Sequence, residues 1–137
     1  MKPGFRAWDV LAEKMIDEIL MISFVRKEII GKFSDGSTSV PLKFEDERNG
    51  EDVILMQSTG LKDKNDKEIF EGDIVRQVRT QPITENETIT GVVTMIEGAW
   101  LIMNDCEQLA SYLWSETDEN EIIGNVYENR ELLEDKE

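Results

Sequence analysis

The stretch that decides the fold occupies residues 56–79 and has the sequence MQSTGLKDKNDKEIFEGDIVRQVR. An apolar run at residues 53–56 leads into it, and residues 74–78 restore apolar positions after a polar, charge-alternating segment. Gly60 and Asn65 are typical of turns or bulges, because both residue types tolerate a left-handed backbone. The pattern therefore predicts two strands joined by a tight hairpin loop.

The same loop has a second interpretation as a calcium site, since residues 63–68 place carboxylate and amide oxygens at alternate positions. Counted from Asp63, however, the position that requires glycine is Glu68, and the position that requires the closing glutamate is Ile74. Lys64 and Lys67 would also repel a cation. A solvated hairpin loop is favoured, and neither a metal site nor a cofactor is predicted.

Residues 57–65 and 68–75 closely resemble the signature of the YopX family, and residues 5–9 and 123–133 match the ends of its pattern in the same order. This sequence differs from the family pattern at two positions: Asp66 stands where the family commonly has glycine, and Arg130 where it commonly has proline. Members are small proteins of bacteriophages and prophages of low-GC Gram-positive bacteria, with no established activity. The resemblance therefore implies a phage or prophage accessory protein of unknown biochemical function.

Composition indicates a globular chain in a reducing compartment. Of its 137 residues, 39% are hydrophobic, which is enough for a core in one domain or two very small ones. Cys106 is the single cysteine and has no partner for an internal disulfide. No signal peptide and no apolar run of membrane-spanning length is visible, so we expect a cytoplasmic location in the host cell without membrane association.

The acidity is concentrated in the C-terminal part of the chain. Residues 1–80 carry 13 Lys and Arg against 16 Asp and Glu, whereas residues 81–137 carry 2 against 14. Such a surface repels phosphate backbones and makes nucleic-acid binding there unfavourable. An acidic surface could bind a basic host or phage protein, or imitate DNA, but the favoured interpretation is that the acidity only keeps the protein soluble.

The N-terminal part reads as short strands with one ambiguous segment. A strand is predicted at residues 4–9, another at 23–33, a turn at 34–37 and an edge strand at 40–44. Apolar residues between 10 and 22 recur near helical spacing, which favours a helix, whereas the YopX resemblance implies strand-turn-strand with its turn near Ala12 and Glu13. The charged segment 45–52 is the best boundary, dividing a small subdomain at 1–50 from a domain at 51–137.

The C-terminal part predicts a small all-β domain. Residues 88–103 read as a hairpin, with further short strands at 109–114 and 122–126 and a charged tail from 128. Short strands at this spacing are typical of a small closed or half-open barrel, and their order looks SH3-like. The predicted class is therefore mainly β (α+β): an SH3-like barrel preceded by an N-terminal segment of strands and one candidate helix.

Catalytic constellations are missing from the sequence. There is no histidine, no phosphate-binding Gly-Lys-Ser/Thr loop, and one thiol, Cys106, which acidic neighbours would leave unreactive. We therefore expect no enzyme, but a non-catalytic interaction module that binds a protein partner or assembles as a homo-oligomer. The alternative is a metal-dependent accessory protein that binds or processes nucleic acids through the basic residues of the N-terminal part.

Aromatic side chains near the C-terminus are the candidate binding residues. Tyr112, Trp114 and Tyr127 are weak candidates for an exposed aromatic groove that binds peptides. Strand alternation places Tyr112 and Trp114 on one face, but packing in the core or at its rim explains the same residues and is the favoured alternative.

Overall fold

The computed structural model describes residues 4–44, 52–78, 88–104, 109–114 and 119–133. Within these ranges the chain forms eleven strands and one 3₁₀ helix. In chain order they are β1 (Phe5–Asp9), β2 (Lys14–Ser23), β3 (Glu28–Phe33), β4 (Leu42–Lys43), β5 (Val53–Lys62), β6 (Glu68–Phe70), β7 (Asp73–Val78), β8 (Thr88–Ile96), β9 (Ala99–Asn104), β10 (Leu109–Tyr112), β11 (Glu119–Asn125) and the 3₁₀ helix Arg130–Leu133. The predicted mainly-β class is confirmed.

The strands form two antiparallel sheets, with orders β4-β3-β2-β1-β5-β6 and β10-β9-β8-β7-β11. The chain divides into two compact units, Met1–Gln57 and Ser58–Glu137. The long strand β5 contributes to both, because residues 53–57 pair with β1 and the remainder pairs with β6. The break predicted at 45–52 lies, except for Asp52, outside the described residues.

The first unit is built on a meander of β1 to β4 with the first half of β5. Ala7 lies at its centre, opposite Ile16 on one side and Leu55 on the other. Its core is a cluster of buried side chains: Ala7, Ile16, Ile19, Ile29, Phe44 and Val53. Gly31 belongs to the same packing, since a Cβ there would overlap the Ile16 side chain and lie 2.7 Å from the Glu18 carbonyl oxygen.

The helix favoured over residues 10–22 is wrong. Residues 10–13 form a turn in which Glu13 has a φ of 56°, and the Asp9 carboxylate accepts a hydrogen bond from the Ala12 amide at 3.0 Å. The strand β2 then pairs with β3 through two register shifts, between Ile16 and Glu18 and between Ile19 and Met21. Each bulge adds a residue to the two-residue alternation, so buried positions fall three apart and imitate helical spacing.

The strand predicted over residues 23–33 is shorter than expected. Residues 24–27 form a turn, in which the Arg26 amide donates to Ser23 Oγ at 3.1 Å and Lys27 has a φ of 60°. The turn at 34–37 is confirmed: Gly36 has a φ of 91° and its amide donates to the Phe33 carbonyl at 3.0 Å. The edge strand predicted at 40–44 is found as β4, which is limited to Leu42–Lys43.

The second unit contains the meander β7-β8-β9-β10, with β11 paired to the far side of β7. The predicted hairpin over 88–103 is confirmed as β8 and β9, joined by Glu97 and Gly98 at φ values of 51° and 83°. Two positive φ angles are what the strand twist favours in a two-residue hairpin turn. The core consists of buried Ile69, Val75, Val93, Ile102 and Leu113.

The closed SH3-like barrel is not found among the described strands. The edges of the second sheet, β10 and β11, do not pair with each other there. Instead, backbone groups of β11 bind the loop that joins β5 to β6: Asn120 O accepts from the Lys64 amide at 2.9 Å, and the Ile122 amide donates to Asp63 Oδ2 at 3.0 Å. An edge whose polar groups are already used by a loop is not available to close the sheet.

The predicted loop over 80–87 and Cys106 lie outside the described residues. In the predicted charged tail, Arg130–Leu133 forms the 3₁₀ helix. The described part of the chain contains no helix with the length and hydrophobicity of a membrane span.

Candidate binding groove

An apolar groove lies on the second unit, with a volume of about 440 Å³. Two of the three predicted residues, Tyr112 and Trp114, line it, and both are well exposed, at 69% and 61%. Leu113 between them is fully buried in the core. The alternation expected of an extended segment therefore directs both aromatic side chains away from the core.

Three further residues complete the groove, and sequence reasoning missed them as a group: Leu61, Ala99 and Trp100. Leu61 lies near the end of β5, whereas Ala99 and Trp100 begin β9 directly after the Glu97–Gly98 turn. The Leu113 amide donates to the Trp100 carbonyl at 3.0 Å, which fixes the segment of Tyr112 and Trp114 beside β9. The sequence predicts that Trp100 is an aromatic residue of a strand, but no local pattern predicts that it lies near Leu61.

Tyr127 does not line this groove. It lies half-buried in the turn after β11, and its amide donates to Asn125 Oδ1 at 3.0 Å. The Asn125 side chain also accepts from the Glu128 amide and donates to the Glu128 carboxylate, both at 2.9 Å. Tyr127 therefore belongs to a side-chain-stabilised turn.

A buried network of hydrogen bonds stabilises the backbone that carries Tyr112 and Trp114. Gln77 of β7 is fully buried, and its Nε2 donates to the Tyr112 carbonyl at 3.1 Å and to Asn120 Oδ1 at 3.0 Å. Asn120 Nδ2 in turn donates to the Leu113 carbonyl at 2.8 Å. Because buried polar groups are costly unless satisfied, this network fixes the backbone that carries the two aromatic side chains.

A second, polar recess of about 450 Å³ shares Leu61 and Trp114 with the groove. Its other lining residues are Lys62, Asp63, Lys64, Leu113, Glu119 and Asn120. Asp63 is buried there. Burial alone would raise the pKa of its carboxyl, but hydrogen bonds from the amides of Ile122, Lys67 and Asn65 outweigh this effect and lower the pKa.

The basic side chains around this recess are paired with carboxylates. Glu121 Oε1 lies 2.9 Å from Arg76 Nη2 and 3.9 Å from Lys64 Nζ, and Lys62 Nζ lies 3.6 Å from Asp66 Oδ1. The hydrogen bond from Arg76, with the charge of Lys64, lowers the pKa of Glu121. These pairs place alternating charge beside the apolar groove.

The polar loop predicted within residues 56–79 is confirmed, but it joins β5 to the short strand β6, whereas the apolar segment 74–78 belongs to β7 of the other sheet. The Asp63 carboxylate accepts hydrogen bonds from backbone amides within this loop. Asp66 has a φ of 68°, which explains why glycine suits this position. Among the described residues, no group of three or more His, Cys, Asp and Glu side chains is arranged to hold a metal ion.

These features define a mainly-β chain of two units, one of which carries an aromatic groove. The chain belongs to the YopX family, whose model, described as YopX protein, matches residues 4–134. It is similar to protein EF1440 from Enterococcus faecalis, with 30% identity and a TM-score of 0.62 over 98% of this chain and 99% of that chain. It also shares the fold of protein yopX from Bacillus subtilis, with 23% identity and a TM-score of 0.62 over 98% of this chain and 100% of that chain. No curated protein matches the chain.

Proposed function

We propose that this chain is a non-catalytic interaction module of a phage or prophage, and that its groove binds a basic segment of another protein. The observation that carries this proposal is the exposure of Tyr112 and Trp114 over an apolar groove. Tyrosine and tryptophan dominate the binding energy of protein interfaces, and an exposed cluster of large apolar groups is typical of a binding surface.

Charge favours a basic partner over a second copy of this chain. Residues 58–137 carry 7 Lys and Arg against 19 Asp and Glu, so the unit that holds the groove is strongly acidic. Complementary charge accelerates the encounter with a basic protein, whereas like charge makes a second copy of this acidic unit a poorer occupant of the groove. The missing histidine and phosphate loop support a binding role without chemistry.

The alternative, a nucleic-acid-binding protein, is less well supported. Three of the basic side chains that would contact phosphates, Lys62, Lys64 and Arg76, are engaged with Asp66 or Glu121. Binding a phosphate backbone there requires these pairs to open beside further carboxylates.

Affinity capture with matched variants tests the proposal. Tagged protein is incubated at physiological salt with lysate of phage-infected host cells, with and without nuclease treatment, in the wild-type form and as the double variant Tyr112→Ser/Trp114→Ser. Leu11→Ser serves as the control, because Leu11 is 93% exposed in the first unit. We expect a protein with a lysine- or arginine-rich segment to be captured by the wild type and the control and lost by the double variant.

Two results would contradict the proposal. Equal capture by the wild type and the double variant would show that the groove is not the binding surface. Recovery that requires intact nucleic acid would transfer support to the alternative.

A further inference from the structure

The groove and the polar recess form neighbouring parts of one surface, since Leu61 and Trp114 line both. The apolar part is lined by Trp100, Tyr112 and Trp114, of which Tyr112 and Trp114 are exposed and Trp100 packs partly against the core, and the polar part contains Glu119. A ligand that occupies both parts therefore needs apolar groups followed by a polar or charged group.

Two main-chain carbonyls next to the groove are already used and cannot pair with an added strand. The strand β10 is an edge of its sheet, and β9 is paired on both sides, by β8 and by β10. At that edge the carbonyl of Tyr112, the last residue of β10, accepts from Gln77, and the Leu113 carbonyl that follows it accepts from Asn120. Binding by strand addition depends on unpaired main-chain groups at a sheet edge, so beside Tyr112 and Trp114 a ligand is recognised mainly through its side chains.

A polyproline II segment meets this requirement. It has no internal hydrogen bonds and needs none from a sheet edge, and its conformation is already set before binding, which reduces the entropic cost. Grooves lined by aromatic rings recognise such segments by packing against the pyrrolidine rings. Tyr112 and Trp114 provide exposed aromatic side chains for such contacts, with Trp100 beside them in the lining.

The charge beside the groove selects a basic residue. Glu119 is exposed at the rim of the polar recess, and no ion pair engages it among the described residues. The neighbouring lysines Lys62 and Lys64 already face Asp66 and Glu121. Glu119 is therefore the charged group that a lysine or arginine of the ligand would meet.

We propose that the occupant of the groove is a proline-rich segment in the polyproline II conformation, with its prolines on Tyr112 and Trp114 and a lysine or arginine on Glu119. This inference rests on the proposed function and specifies the chemistry of the partner.

An array of synthetic decapeptides tests the inference. Each peptide has two prolines separated by two varied residues, and carries lysine and arginine at one end or the other. A matched array replaces every proline with alanine and keeps the charges. We expect labelled full-length protein to bind members of the proline array at physiological salt and to bind their alanine counterparts about tenfold less.

Variants locate the bound peptide. The affinity of the best proline peptide is measured by fluorescence anisotropy for the wild type, Trp114→Ser, Glu119→Gln and the control Leu11→Ser. We expect Trp114→Ser to lose about tenfold or more, because aromatic anchors carry most of the binding energy. Glu119→Gln should weaken a lysine-containing peptide a few-fold and leave a version with neutral glutamines unchanged.

The failure of this inference is distinguishable from the failure of the proposed function. Equal binding of the proline and alanine arrays, or no binding of either, overturns the proline-rich ligand. If capture from lysate still depends on Tyr112 and Trp114 in that case, the groove remains a protein-binding site for a ligand of another conformation. An unchanged affinity of Trp114→Ser overturns the placement of the peptide.

Discussion

Asp63 and Ile122 are 59 residues apart in the chain, yet the Ile122 amide donates a hydrogen bond to Asp63 Oδ2 at 3.0 Å. The other carboxylate oxygen, Oδ1, accepts from the amides of Asn65 and Lys67, both at 2.9 Å. One buried carboxylate thus stabilises its own hairpin loop and the edge of strand β11. This contact joins the hairpin from the opening sequence stretch to the last strand of the second unit.

Asp63→Asn should destabilise the second unit by about 1–3 kcal/mol. The side-chain NH₂ group of asparagine replaces one carboxylate oxygen, and this hydrogen-bond donor would face a backbone N–H that is also a donor. Urea unfolding monitored by tryptophan fluorescence measures the change. Asp66→Asn is the matched control, since its side chain is 84% exposed and asparagine tolerates the left-handed backbone at this position. Equal free energies of unfolding for the two variants would contradict the role of Asp63.

Stability should fall in acid, and Asp63 should account for part of the loss. Its pKa in the folded chain lies below the ordinary value of 3.8, so the unfolded chain binds the proton more readily. The contribution of Asp63 is therefore present above pH 3.8 and is lost as the pH falls through the folded pKa. Urea titrations at a series of pH values should show a shallower acid decline for Asp63→Asn than for the wild type. Parallel declines would refute this assignment.

Gln77→Leu should destabilise the second unit by about 1–3 kcal/mol, because it leaves the Tyr112 carbonyl without its buried donor. The loss should also loosen the groove, so ligand affinity should fall although Gln77 does not line it. Chemical unfolding and peptide binding measure the two effects. Leu11→Ser, at a residue of the first unit that is 93% exposed, is the control, and equal stability of the two variants would contradict the network.

Gly91→Ala should be more destabilising than a typical surface substitution. A Cβ at this position would overlap the Met103 carbonyl oxygen and lie 2.9 Å from Ile102 Cγ2, so strands β8 and β9 must separate. Overpacking of this kind costs about 1–3 kcal/mol. Thermal unfolding should show a lower midpoint for Gly91→Ala than for Thr88→Ala, an exposed change in the same strand. Similar midpoints would show that the two strands tolerate the added methyl group.

The homo-oligomer expected from the sequence is a separate prediction. Light scattering at physiological salt should give a mass of at least two chains, where one chain has a mass of 15.8 kDa. If the groove formed the interface, Tyr112→Ser/Trp114→Ser would release monomers. An oligomer that is unchanged by the double variant leaves the groove available for a basic partner, as proposed. A mass of one chain contradicts the homo-oligomer.

Local signals in the sequence predicted most strands and several turns correctly. Glycine at positions 36 and 98 predicted turns, and both residues have positive φ in the structure. β-Branched residues predicted the hairpin of β8 and β9. The prediction failed at β2, where two bulges produce helix-like spacing. A bulge depends on the partner strand, so periodicity within one segment does not reveal it.

The sequence by itself determined the family, the mainly-β class, the distribution of charge and the placement of Tyr112 and Trp114 on one face, whereas only the structure showed that this face is exposed. Tertiary structure decided that Leu61 and Trp100 lie beside them, that Tyr127 does not, and that a loop covers the edge of β11. The physical reason is the range of the interactions. Backbone preferences and side-chain alternation act over a few residues, whereas strand register and buried hydrogen bonds join positions that are tens of residues apart.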